Sequence, residues 1–295
     1  MSAGPATEVL AGAAATAEFA PTEGARLMRW NVNDRPVLHW PESPDWTRSG
    51  SIRGGNPLLF PFIARTFLDG QIGFWKSPDG QKRPAPMHGL VRAAPFSVVE
   101  KTATKMVMAI EWNETMAAAY PFAFRFTVSY EISGPQLLVD YMVENLGVEP
   151  MPFSVGNHFY FDIPAAERSQ WALVGQFASG GRQAANGTII DLPAMSKTAN
   201  LSDPALVDLF HIGPPADGVQ LVHQTDGRRV RIDWPAGMSD VWYAVTTWTE
   251  MPDSDFYCVE PWTALPDAVH NGRGLRWLKP GASETLRLLL TAEGW

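Results

Sequence analysis

Four short segments place proton-moving or hydrogen-bonding groups in apolar or turn-rich surroundings. His158 stands in Gly156-Asn157-His158-Phe159-Tyr160-Phe161, a polar ring inside an aromatic cluster. An unpaired polar group in such a setting costs about 1–3 kcal/mol. His158 is therefore either a satisfied core histidine or a general acid or base, because imidazole titrates near working pH. Glu260 stands in Cys258-Val259-Glu260-Pro261-Trp262, at an apolar strand end beside Tyr257 and Trp262. Burial raises a carboxyl pKa and suits it to act as a base; the other reading is a salt-bridged edge glutamate. His88, in Pro86-Met87-His88-Gly89-Leu90-Val91-Arg92, follows a loop dense in Gly, Pro, Lys and Asp. It is a turn residue or a site residue. The run Gly55-Asn56-Pro57-Leu58-Leu59-Phe60-Pro61-Phe62 leads to Arg65. Its two bracketing prolines mark an edge or irregular strand. Arg65 beyond it reaches a ligand hydroxyl or lies in solvent.

A carboxylate and an imidazole together can do general acid–base work without further groups. The chain shows no paired cysteines or HExxH helix, so neither a metal nor another cofactor is expected. Gly54-Gly55 does not fit G-x-G-x-x-G, and no serine nucleophile elbow is present. A glycoside hydrolase needs two carboxylates, and only Glu260 has a suitable setting.

The elements that must position these groups read as strands. Phe124, Phe126, Val128, Tyr130 and Ile132 share one face, with Arg125, Thr127, Ser129 and Glu131 on the other. That is the period of a half-buried strand. Leu137, Val139, Tyr141 and Val143 repeat it after Ser133-Gly134-Pro135, and Leu286, Leu288 and Leu290 form a last strand. Leu221 to Trp234 reads as a hairpin around Asp226-Gly227. The alanine-rich start is the single helix candidate and lacks a cap. No linker, charge block or fixed-period repeat divides the chain. The expectation is an all-β fold, an antiparallel β-sandwich, as one domain over residues 1–295 with residues 1–13 a flexible segment.

Composition narrows the partners. The chain has 295 residues and a formal net charge of −8, with a pI near 5.3. Nucleic acid and anionic membranes are disfavoured, and a neutral or weakly charged solute fits better. One cysteine, Cys258, excludes an intrachain disulfide. The N-terminus lacks a basic region and no apolar run approaches the ~20 residues of a membrane span, so a cytoplasmic monomer or homodimer is expected. Twelve tryptophans suit either a large β core or a sugar site.

Taken together, NPLLFPFIAR, MHGLVR, GNHFYF and CVEPW, with the closing LRWLKPGASETLRL and the opening ATAEFAPTEGARLMRWNVNDRPVLHW, resemble the aldose 1-epimerase family. The resemblance runs from about Ala14 to Leu290. It implies the galactose-mutarotase supersandwich and interconversion of the α and β anomers of a hexose. It also implies roles: Glu260 as general base, His158 as general acid, and His88, Arg65 and Asp208 as sugar-binding residues. Asp208 is assigned by its order in the chain. Leu90, Phe159 and Ala64 depart from the family's usual residues but leave the ionisable groups in place. The expected pocket holds Glu260 and His158 about a sugar ring's width apart. Two other readings stay open. One is a hexose-6-phosphate 1-epimerase, with Arg53, Arg65, Lys76 and Arg92 as phosphate cations. The other is a non-catalytic carbohydrate-binding protein.

Overall fold

The computed structural model describes residues 4–235 and 237–295. Those residues form antiparallel sheets of nine, six and four strands, with three two-stranded ribbons. The helical content described is one four-residue turn, Ala268–Asn271, and three short 3₁₀ segments. The period-two patterns explain this. In Phe124–Ser133 every second residue from Phe124 to Ile132 is buried, and in Gln136–Asn145 the buried set includes Leu137, Val139, Tyr141 and Val143. The two strands pair in a ten-residue register, and Gln136–Asn145 pairs onward with Ser283–Glu293. The Asp226-Gly227 hairpin joins Val219–His223 to Arg229–Asp233 in the same nine-stranded sheet.

The alanine-rich start is not a helix. Glu8–Ala11 pairs antiparallel with Ala15–Ala20. Residues 8–11 of the segment expected to be flexible thus lie in a strand; residues 1–3 lie outside the described residues. The reason is burial. Leu10, Ala15, Ala17 and Phe19 all join the main core, and tertiary packing overrides alanine's helix propensity.

The six-stranded sheet matters most for function. Its order is Phe159–Phe161, Tyr257–Trp262, Ala244–Trp248, Leu209–Ile212, Ser179–Gln183, Ile189–Leu192. Side chains alternate between its faces. Phe159, Phe161, Val245, Tyr257 and Val259 join the main core with residues of the other two large sheets. On the opposite face lie Phe210, Ile212, Ala244 and Trp262 in one smaller cluster and Tyr160, Phe256 and Cys258 in another.

Phe60 anchors the irregular segment that runs from this sheet's rim. Its ring stacks on Phe126 at 4.6 Å and meets Phe124 edge-on at 4.9 Å. Phe60→Ala should therefore cost about 3–5 kcal/mol of stability, read from the denaturant midpoint. Val99→Ala, on an edge strand where Val99 is 65% exposed, should change it by less than about 0.5 kcal/mol.

Candidate active site

Strand register brings the proposed acid and base together. Phe159 pairs with Val259 and Tyr160 with Cys258. The Asn157 N–H donates to the Pro261 carbonyl at 3.1 Å, which continues the pairing one residue further. His158 is therefore directly opposite Glu260, on the face turned away from the core. Nδ1 of His158 lies 3.6 Å from Oε1 of Glu260. The two are neighbours, closer than the ring's width expected from sequence, which leaves no room for a ligand between them. Glu260 is not an edge residue either, because its strand is flanked on both sides.

Around the pair opens a cavity of about 330 Å³, lined among others by Arg65, His88, His158, Asp208 and Glu260. The five residues singled out from sequence thus share one cavity. That volume falls at the lower end for small-molecule pockets, about 300–1,000 Å³. Arg53, Arg182, Gln183, Thr246, Trp248 and Trp262 complete much of the wall. Arg53 is one of the four cations named for a phosphate; Lys76 and Arg92 do not line the cavity. Arg182, Thr246 and Trp248 carry no mark in the sequence. Thr246 pairs with Glu260 and Trp248 with Cys258 across the next ladder, a proximity that only the register discloses.

Each loop residue is held by a specific contact. Gly55 has φ 68°, and a Cβ there would meet the Leu27 carbonyl oxygen at 2.0 Å; Gly89 has φ 81°, and a Cβ would meet that of Phe60 at 2.1 Å. Only glycine fits such approaches. The Gly89 turn leaves His88 against residue 64, whose N–H donates to Nδ1 of His88 at 3.2 Å. With Nδ1 accepting, neutral His88 carries its proton on Nε2 and is a donor there. Burial, with Arg92, Arg65 and Arg53 adding to it, pulls His88 down to about 3. Asp208 reaches the cavity from a left-handed turn at φ 56°, a conformation Asp tolerates.

The two motif asparagines meet underneath. Nδ2 of Asn56 donates to Oδ1 of Asn157 at 3.0 Å, and Oδ1 of Asn56 accepts from the His158 N–H at 2.8 Å. The Tyr141 hydroxyl donates to Oδ1 of Asn157. Trp262 Nε1 donates to the Asn157 carbonyl at 3.1 Å. The His158 ring stacks on Tyr160 at 4.6 Å and stands edge-on to Trp248 at 5.6 Å.

Two atoms of the His158–Glu260 couple make no hydrogen bond within the protein. Nδ1 of His158 and Oε2 of Glu260 are buried without a hydrogen-bond partner. Burial pushes the Glu260 carboxyl well up, and the Asp208 charge adds to that. Burial likewise pulls the His158 imidazole well down, with His88 and Arg92 contributing. Both shifts favour the neutral form of each group. A neutral acid beside a neutral imidazole and a carboxylate beside an imidazolium differ only in the position of one proton.

The family model described as aldose 1-epimerase matches residues 9–291. The chain belongs to the aldose 1-epimerase family. A comparison with curated proteins finds no match. Among solved structures, the Slr1438 protein from Synechocystis sp. PCC 6803 is 22% identical with a TM-score of 0.86, over 99% of this chain and 97% of that one. A galactose mutarotase related enzyme from Lactobacillus acidophilus is 20% identical with a TM-score of 0.79, over 98% and 97%. A galactose mutarotase-like protein from Lactobacillus casei ATCC 334 is 20% identical, also at 0.79, over 98% and 100%. At these identities the structural likeness shows the mutarotase-like β-sandwich fold.

Asn56→Ala would strip a partner from the His158 N–H and from Asn157. Asn157 Oδ1 keeps the Tyr141 hydroxyl, so the change should cost about 1–3 kcal/mol for the one buried group, the His158 N–H, left unpaired. A lower denaturant midpoint with an unchanged slope is the expected readout.

Proposed function

We propose that this member of the aldose 1-epimerase family interconverts the α and β anomers of a free hexose by general acid–base ring opening. The observation that carries the reading is the buried, otherwise unpaired His158–Glu260 couple on the floor of a monosaccharide-sized cavity. A couple that shares one proton can deliver it at one oxygen while taking another elsewhere, with no net change in charge.

In the reacting state Glu260 is the carboxylate and His158 the imidazolium. Glu260 accepts the anomeric O1–H proton. His158 donates a proton to the ring oxygen as the bond from C1 to that oxygen breaks. Nδ1 faces Glu260, which leaves Nε2 for the ring oxygen. The aldehyde forms, the C1–C2 bond rotates, and the same two groups run the steps backwards on the other carbonyl face. Neutral His88 donates from Nε2 to a sugar oxygen, Arg65 donates beside it, and Asp208 accepts from sugar hydroxyls. Donors fixed before the reaction stabilise the shifting charge without reorganising. Trp248 and Trp262 supply apolar faces for the sugar's C–H surface.

A second reading, a hexose 6-phosphate, draws on the three guanidinium groups along the cavity. Two of them are already engaged. Arg53 holds Glu250 through two contacts of 2.8 and 3.0 Å, and Arg182 donates to the Val207 carbonyl at 2.6 Å and to that of Ala205. That leaves Arg65 as the cavity guanidinium with neither an ion pair nor a hydrogen bond among the described residues, and favours the unphosphorylated sugar. The fold also occurs as a binding module, which needs neither His158 nor Glu260 for chemistry.

Anomer exchange measured by NMR on free hexoses and on glucose 6-phosphate separates these readings. The expected result is enhanced exchange with a free hexose as the best substrate. Glu260→Gln keeps shape but accepts no proton. It should lower kcat by roughly 10²–10⁴ with little change in KM. Full turnover in that variant would remove Glu260 from the mechanism, and no exchange in the wild type would leave a carbohydrate-binding protein.

A further inference from the structure

One group on the site face has no part in the proposed reaction. Cys258 is the chain's single cysteine and is fully buried. It sits two residues before Glu260 on the same face, opposite Tyr160 on one side and Trp248 on the other. One ligand atom each from His158, Cys258 and Glu260 lies within 4.8 Å of the others. Two of these side chains also carry buried atoms with no partner, Nδ1 of His158 and Oε2 of Glu260. A sulfur, a nitrogen and an oxygen thus converge with their bonding capacity unspent, and two of the three line the open cavity.

We propose that His158, Cys258 and Glu260 bind one thiophilic divalent cation of the Zn²⁺ class, and that its occupancy switches the acid–base couple off. The donor set selects the ion. Thiolate with imidazole suits Zn²⁺ and Cd²⁺, whereas Mg²⁺ and Ca²⁺ require several oxygens and find a single carboxylate here. Zinc bonds of about 2.0–2.3 Å set tetrahedral donors about 3.3–3.8 Å apart, and Nδ1 and Oε1 already stand 3.6 Å apart. Three protein donors leave the fourth position facing the cavity, open to water or a sugar hydroxyl.

Charge balance points the same way. Binding releases the Cys258 thiol proton and the proton shared by His158 and Glu260 to solvent. Thiolate and carboxylate then carry two negative charges against the ion's two positive ones, with imidazole neutral. A buried site with no net charge avoids the cost that a monovalent or trivalent ion would leave. Once ligated, neither His158 nor Glu260 is free to move a proton. This inhibition rests on the proposed anomerase reading, whereas the binding itself does not.

The test uses Cd²⁺ titrated into the full-length, chelator-treated protein, with the thiolate-to-cadmium ultraviolet band as readout. With one cysteine in the chain, the band reports Cys258 alone. The expected result is saturation at one ion per chain and competition by Zn²⁺. Affinity should fall roughly tenfold or more in His158→Gln and in Glu260→Gln. The band should vanish in Cys258→Ser, with Cys258→Ala as the second variant should the serine protein fail to fold. Zn²⁺ should slow anomer exchange in the wild type, a chelator should restore it, and Cys258→Ser should be indifferent to both. No band at stoichiometric Cd²⁺, or one of equal affinity in His158→Gln and Glu260→Gln, overturns the site. A band in a protein without anomerase activity supports the site and removes the catalytic reading instead.

Discussion

Everything in the site depends on the pairing of the strand Tyr257–Trp262 with Phe159–Phe161. Side chains alternate along each strand, so this register sends Val259 and Phe159 into the core and turns Glu260 and His158 to the other face together. A one-residue slip of Tyr257–Trp262 would turn Glu260 into the main core and Val259 towards the cavity, leaving His158 without its partner. The buried aromatic and β-branched side chains hold the register, and the register in turn holds the chemistry.

The loops around this floor are secured by polar contacts beneath the surface. Asn56 and Asn157 bind each other and orient the His158 backbone, while tyrosine and tryptophan side chains close the same network. Asn157 Nδ2, within this network, is buried without a partner, as are Nδ1 of His158 and Oε2 of Glu260 above it. The last two belong to side chains that line the cavity, where a ligand can meet them.

Electrostatics sets the couple's resting state. Apolar surroundings favour the neutral form of both groups, and the nearby charges act in the same directions, Asp208 on Glu260 and Arg92 and Arg53 on His158. In the proposed reaction a sugar brings hydroxyl and ring oxygens to a couple whose members are both held towards their neutral forms. The same two side chains, with Cys258 beside them on the same face, make up the proposed cation site, so the proposed catalysis and the proposed metal sensitivity share one origin.

Much of this is legible in the residue pattern. Period-two alternation determines the strands, since a half-buried pleat permits no other pattern for Phe124–Ser133 or Gln136–Asn145. Isolated polar residues in aromatic company mark His158 and Glu260, because burying such groups is costly without a purpose. The alanine-rich start, a helix candidate without a cap, is undecided locally because alanine's preference says nothing of the partner strand at Ala15–Ala20. Arg182, Thr246 and Trp248 leave no signal of their own. Arg182 follows two glycines, and Thr246 and Trp248 lie in a run that reads as an ordinary strand. Sequence alone determined which residues alternate and which groups are chemically out of place. Tertiary structure decided which of them meet, because ladder register and loop closure join residues as far apart as Arg53 and Glu260, and long-range pairing is a property of the folded core rather than of any local run.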